Sequence, residues 1–258
     1  MPTVSRLSVA PVKGLGLLHP DEIKLAERGV TENRRFYLAD RGGLLFSGID
    51  HGPLVRIRPR YDPEREWLTL EFPDGSVVEG AAAADGDEVE TDFYGRRVVG
   101  RVVDGPFADA LSRYAGKPLR LVRPDRPGDG CDVQAVTLLS DASVEELRRH
   151  AGREGPVDER RFRMLIGLDG CRPHEKDEWE GHLLELGEAA VRVGGPVPRC
   201  ATTTRDPTTG IRDLDTLHAI KSYRGLRDGR KLDFGVYGEV ERPGRVRVGD
   251  PAQLVKEG

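Results

Sequence analysis

The chain has 258 residues, 37% hydrophobic and 33% charged, which suits one large or two small globular domains and excludes a disordered chain. Its formal net charge is −4 and no Lys/Arg block stands apart from acidic neighbours, which argues against a nucleic-acid partner. No run approaches the roughly 20 apolar residues of a membrane-spanning helix.

The opening residues Met1–Arg6 carry no secretory signal pattern. Cys131, Cys171 and Cys200 are odd in number, widely spaced and without a CxxC pair, so neither a disulfide framework nor structural zinc is expected. The expected compartment is therefore reducing and cytoplasmic. Only seven of the 40 basic residues are Lys. Genomic base composition accounts for that bias, and the surplus Arg also suits forked contact with phosphate.

In chain order the pattern is mostly short strands. Apolar or alternating runs at Val4–Ala10, Arg35–Ala39, Leu44–Ser47 and Leu54–Arg58 are bounded by Gly, Pro, Asp or His. Trp67–Phe72 alternates, and Pro73-Asp74-Gly75 then Val77-Val78 complete a hairpin signal. Gly80–Asp87 reads as an exposed loop and Arg97–Val103 as a strand. Phe107, Ala110, Leu111 and Tyr114 fall on one helical face that Gly116 and Pro118 end. Leu119–Arg123 is a strand, and Arg123–Gly130, rich in Pro, Gly and charge, reads as a linker.

Val136–Leu139 leads to a second helix, for which Ser143 and Glu146 are spaced as a capping box and Gly152 as its end. Strands are expected again at Arg163–Leu168, Leu183–Leu186, Ala190–Val193, Val236–Val240 and Arg245–Val248. A third helix carries Leu214, Leu217 and Ile220 on one face. The fold class this implies is mainly β (α+β), with two barrel-like, strand-rich domains and helical inserts.

Chemistry-bearing motifs are few. Lys13-Gly14-Leu15-Gly16 lacks the third glycine and the following helix of a dinucleotide fingerprint, and neither a GxSxG nor a Walker motif occurs. Cys171 and His174 have ligand-like spacing but no further ligands nearby. Cys200 stands apart. It comes after the Gly/Pro-rich Gly194–Arg199 segment, where a strand ends, and precedes a polar stretch closing on Asp206-Pro207-Thr208-Thr209-Gly210. Arg199 need not activate it, because neighbours along a strand point to opposite faces.

Arg199-Cys200, Asp206-Pro207-x-x-Gly210, Phe234-Gly235-x-Tyr237 and Val248-Gly249-Asp250 together resemble the MOSC domain, named for the C-terminal part of molybdenum-cofactor sulfurases. Pro11-Val12-Lys13 and Asn33-Arg34-Arg35-Phe36-Tyr37 resemble the N-terminal β-barrel partner domain of that family. Leu138–Ser143, Phe162-Arg163, Gly170-Cys171, Asp177-x-Trp179 and Lys221–Arg224 continue the series in order over nearly the whole chain. The series is similar to the amidoxime-reducing branch.

The resemblance implies residues 1–122 as the MOSC N-terminal β-barrel domain, residues 123–258 as the MOSC domain, and a cofactor cleft between them. It implies molybdopterin, the molybdenum cofactor, with Cys200 as catalytic residue and metal ligand. A soft thiolate suits a metal already held by dithiolene sulfurs. Lys13, Arg34, Arg163 and Arg199 are implied as cofactor-binding, with Arg35 a rival to Arg34 if the match slips by one. Ser143 matches a family serine as well as a helix cap. Pyridoxal phosphate binding is a further property associated with the family.

The implied activity is reduction of an N-oxygenated, N-hydroxylated small molecule, with electrons from a separate reductase or ferredoxin-type donor, since three cysteines do not make an iron–sulfur domain. A non-catalytic cofactor carrier and persulfide transfer through Cys200 are the alternative readings. The chain departs from the family pattern in two places. Lys13-Gly14 replaces Lys-Ser, and Phe162-Arg163-Met164-Leu165 replaces Phe-Arg-Pro-Asn, which removes a hydroxyl and an amide from the expected pocket.

Overall fold

Short runs in which every second side chain is buried, as in Glu88–Phe93 and Trp67–Glu71, make strands the main element. The computed structural model describes residues 1–255. Its strands are β1 (Thr3–Leu7), β2 (Glu22–Leu25), β3 (Tyr37–Asp40), β4 (Leu45–Phe46), β5 (Arg58–Asp62), β6 (Trp67–Glu71), β7 (Val77–Ala81), β8 (Glu88–Phe93) and β9 (Arg96–Val102). Helix α1 (Phe107–Ala115) and β10 (Leu119–Pro124) come next, then β11 (Val136–Ser140), α2 (Asp141–His150), β12 (Ile166–Asp169), β13 (Leu183–Leu186) and β14 (Ala189–Pro198). Helix α3 (Thr216–Arg224), β15 (Asp233–Arg242), β16 (Gly244–Arg247) and β17 (Ala252–Leu254) complete the order. The mainly β class with helical inserts is what the sequence pattern predicts.

Seven strands form one sheet in the order β1-β12-β11-β15-β14-β13-β17. Its two edges approach each other: Val4 N donates to Asp250 O at 2.9 Å, Gly249 N to Val4 O at 2.8 Å and Ala252 N to Pro2 O at 2.9 Å. The sheet is thereby nearly closed into a barrel, which removes the open edges on which strands aggregate. Val4, Leu7, Leu138, Ile166, Leu184, Val191 and Val236 fill its core. Its one parallel pair, β11 with β12, needs a crossover, which α2 supplies. A second body holds the five-stranded sheet β4-β3-β10-β9-β8 and the three-stranded β5-β6-β7, around Val12, Phe36, Leu54, Leu70, Phe107 and Leu121.

The first two strands belong spatially with the C-terminal half. β1 pairs with β12 and β2 pairs with β16, and Ile23 and Leu25 are buried in the barrel core. β1 and β2 thus reach in space across the boundary expected at residue 122.

Several local expectations are corrected. Leu54–Arg58 is not a strand: Pro53 opens a 3-10 turn over Gly52–Arg56, and the strand starts at Arg58, since proline presets the turn's φ and gives no ladder donor. Strand β12 begins at Ile166 rather than Arg163, because Arg163 ends a 3-10 turn with φ 54°. The N-cap of α2 is Ser140, whose Oγ accepts from Ser143 N at 3.3 Å, so Ser143 with Glu146 is not the capping box. Helix α3 starts after an Asp215 cap and buries Thr216, Ala219 and Ile220, a face shifted from Leu214 and Leu217. Gly80 and Ala81 extend a strand, which shortens the expected loop.

Candidate functional site

The Gly/Pro-rich approach to Cys200 is the end of β14 beyond the reach of β13, whose pairing stops at Arg192. One side of this stretch is free, so Pro196 and Pro198 leave no neighbour without a ladder donor. The register against β15 shifts between Val193 and Pro196 and again before Pro198, a bulged geometry that re-aims the chain toward Cys200. Cys200 then caps a 3-10 turn over Ala201–Thr204, its carbonyl accepting from Thr203 N at 3.2 Å and Thr203 Oγ1 at 3.0 Å. The thiol is exposed, with Sγ 3.5 Å from Thr202 Oγ1.

It opens on a cleft of about 430 Å³ between the two bodies, a size common for small-molecule sites. Lys13, Arg34, Arg163, Arg199 and Cys200 all line it. The chemistry of the walls is basic. Lys13 is buried, and Nζ donates to Asp132 Oδ1 at 2.5 Å and to Gly130 O at 3.4 Å. Burial lowers its pKa, partly offset by Asp132. Desolvation at the cleft wall works against the Asp132 carboxylate, but the Lys13 ammonium, with Arg34 and Arg163, holds its pKa below the usual range.

Arg34 and Arg163 both have left-handed backbones, at φ 51° and 54°. They are joined by a bond from Arg34 Nη2 to Arg163 O at 2.8 Å. Left-handed non-glycine residues store strain that the surroundings must maintain, and they concentrate at functional sites. Gly130 packs against this clasp so closely that a Cβ would lie 2.2 Å from Arg34 O. Burial, reinforced by Arg34, pushes Arg163 down to about 9, still a cation at neutral pH.

Arg199 turns away from the thiol, as alternation along a strand predicts. Nε donates to Phe234 O at 2.8 Å and Nη1 to Phe162 O at 3.1 Å, and Nη2 lies 2.6 Å from Met164 Sδ. Its role in the cleft wall is to pin the chain that carries Cys200. Gly235 is required beneath it, since at φ 85° a Cβ would meet Met164 Cε at 2.6 Å and Leu138 O at 2.8 Å.

Two expected residues do not join the others. Arg35 points from the opposite side of the chain, its Nη1 on Pro124 O at 2.8 Å, so the slip between Arg34 and Arg35 resolves with Arg34 in the cleft. Ser143 is fully buried at the start of α2, accepting from Lys176 Nζ at 2.8 Å and His174 N at 2.9 Å. Of the departures from the family pattern, Leu165 lies in the barrel core and takes no part in the cleft, whereas Met164 lines it.

Sequence reasoning missed Asp132, Tyr94 and Arg161. Tyr94 lines the cleft from the β8–β9 turn, 63% exposed. Arg161 is buried and bonds Thr203 O, Arg205 O and Asp213, holding the turn after Cys200. Only long-range packing brings these three to the cleft. The Tyr94-Gly95 turn and the Arg160–Arg163 run are visible in the sequence but have no local partner to give them meaning. Cys171 and His174 belong to no group of three or more His, Cys, Asp or Glu placed to hold a metal among the described residues.

The family described as "MOSC domain" matches residues 125–253, and that described as "MOSC N-terminal beta barrel domain" matches residues 1–118. The chain belongs to the MOSC family. It is 36% identical to mitochondrial amidoxime-reducing component 1 of Mus musculus, over 98% of this chain and 82% of that one. It is 28% identical to the molybdenum cofactor sulfurase of Drosophila grimshawi, over 99% of this chain and 35% of that longer protein. Among solved structures, the YUAD protein of Bacillus subtilis aligns over 98% of this chain and 96% of its own, with a TM-score of 0.45 and 13% identity. No helix among the described residues is long and apolar enough to cross a membrane.

Proposed function

We propose that this chain binds the molybdenum cofactor in the cleft and reduces N-hydroxylated small molecules in the cytoplasm, with electrons from a separate donor protein. One observation carries the reading: a single exposed thiol, Cys200, opens on a cleft whose wall also carries the cations Lys13, Arg34 and Arg163, with Asp132 paired to Lys13. The donor set fits the group. No three His, Cys, Asp or Glu gather among the described residues, so a metal in this cleft would be one already held by an organic ligand. What it then needs from the protein is one soft donor for the metal and cations for the phosphate. The names of the mouse and fly relatives agree with this chemistry.

When bound, the cofactor would supply two-electron transfer; an N-hydroxyl group taking two electrons and two protons yields N–H and water. Cys200 Sγ would hold the metal, and Arg199 and Arg161 keep the thiol's turn in place through their carbonyl contacts. Lys13, Arg34 and Arg163 would bind the phosphate and pterin end. Tyr94 keeps its phenolic proton at neutral pH, as an ordinary exposed tyrosine does. It would thus offer a neutral donor at the cleft mouth.

The test is molybdenum per chain in protein made by a molybdopterin-producing host, beside Cys200→Ser, together with turnover of benzamidoxime by reduced viologen. About one metal per chain with turnover, and at least tenfold less of both in the variant, is the expected result. Equal metal in both proteins refutes the ligand assignment.

A further inference from the structure

Arg163 lines a second cleft as well, of about 420 Å³, which the proposed reduction does not use. The second body contributes Arg56, Arg58, Glu71 and the Phe72–Gly75 hairpin, and the barrel body contributes Arg160 and Thr208. Four guanidinium groups therefore converge there, with Glu71 the one carboxylate in the wall, in a chain of net charge −4.

Two of the four are already neutralised. Arg160 clamps Asp158 through Nε at 2.9 Å and Nη2 at 2.5 Å, and Nη2 also donates to Thr208 Oγ1 at 3.1 Å. Arg58 lies 3.8 Å from Glu71. Arg56 and Arg163 have no ion pair among the described residues. The Arg163 guanidinium donates from Nη2 to Leu15 O at 2.7 Å, which leaves further donors to the clefts. His19 adds no charge: its Nδ1 lies 3.2 Å from Leu7 O and 3.1 Å from Ser8 Oγ, and burial, with Arg160 and Arg6, lowers its pKa.

A concave site with four forked cations, Arg56 among them without an ion pair, and few apolar walls favours a ligand rich in oxygen and negative charge. We propose that this second cleft binds a phosphate-bearing small molecule, held by Arg56 and oriented by Arg58 and Arg160. These three residues do not line the cleft of the thiol, so the site stands whether or not the reductase reading does.

The probe is inorganic pyrophosphate, titrated calorimetrically at low ionic strength into protein free of cofactor, so that redox activity plays no part. Wild type should bind it at a site that Arg34→Gln, in the cofactor cleft, leaves intact and that Arg56→Gln with Arg58→Gln weakens tenfold or more; binding lost only with Arg34→Gln overturns the proposal. Arg56 and Arg58 are exposed, so the fold should survive their loss. Arg230→Gln, an exposed change elsewhere, should leave the affinity within twofold. No binding by wild type overturns the proposal. Undiminished binding by the double variant also does, because the anion then sits elsewhere, the cofactor cleft included. Binding of a hexaglutamate peptide in place of pyrophosphate overturns it too, in favour of a protein-docking face.

Discussion

The Lys13–Asp132 pair is the most informative place to perturb. Asp132→Asn keeps the shape and removes the counter-charge 2.5 Å from a buried ammonium. An unpartnered buried charge costs about 3–5 kcal/mol. The Asp132 side chain is 51% exposed, so water screens part of the pair and the expected loss is about 2–3 kcal/mol at pH 7. Lys13 has an alternative, which is to release its proton. For a lysine of ordinary pKa that limits the cost to about 4.6 kcal/mol at pH 7 and about 1.9 kcal/mol at pH 9.

The sign comes from proton counts. Lys13 has a lowered pKa in the folded protein, so the unfolded chain binds more protons and stability gains as pH rises toward the unfolded value. The variant lowers the folded pKa further, and its deficit should shrink from pH 7 to pH 9. Urea unfolding of both proteins at the two pH values measures this. A deficit under about 0.5 kcal/mol at pH 7, or one that grows toward pH 9, would refute the idea that the carboxylate supports a buried ammonium.

Three further outcomes are expected. Gly235→Ala should lower stability by about 2 kcal/mol or more, because the added Cβ meets backbone oxygen at 2.8 Å in a left-handed conformation; thermal denaturation should show a fall of roughly 4–8 °C, and an unchanged midpoint contradicts the packing. Arg161→Lys should cost about 2 kcal/mol or more, since one ammonium cannot reproduce bonds to Thr203 O, Arg205 O and both Asp213 oxygens; chemical denaturation reads it, and near-wild-type stability argues against the network. In an aromatic disulfide assay at pH 8, one thiol per chain should react quickly. Cys200 is exposed, Cys131 is buried, and burial pushes Cys171 up to about 11, so Cys200→Ser should abolish the fast phase while leaving the melting temperature within about 1 °C.

The strand-rich class, the three helices and most of the strands were legible because they rest on local periodicity, which a single sequence carries in full. The ordered motifs likewise pointed to Cys200, Lys13, Arg34 and Arg163, four residues that line one cleft. Tertiary structure decided what depends on distant partners. Pairing of β1 and β2 with strands of the C-terminal half drew the N-terminus into the barrel. Left-handed backbones at Arg34 and Arg163 ended segments that otherwise alternate like strands. Asp132 acquired its role only when folding brought its carboxylate to Lys13, and the four arginines of the second cleft converge from both bodies. Periodicity fixes which face of an element is apolar; charge compensation and backbone strain are set by whichever groups packing brings within a few ångströms.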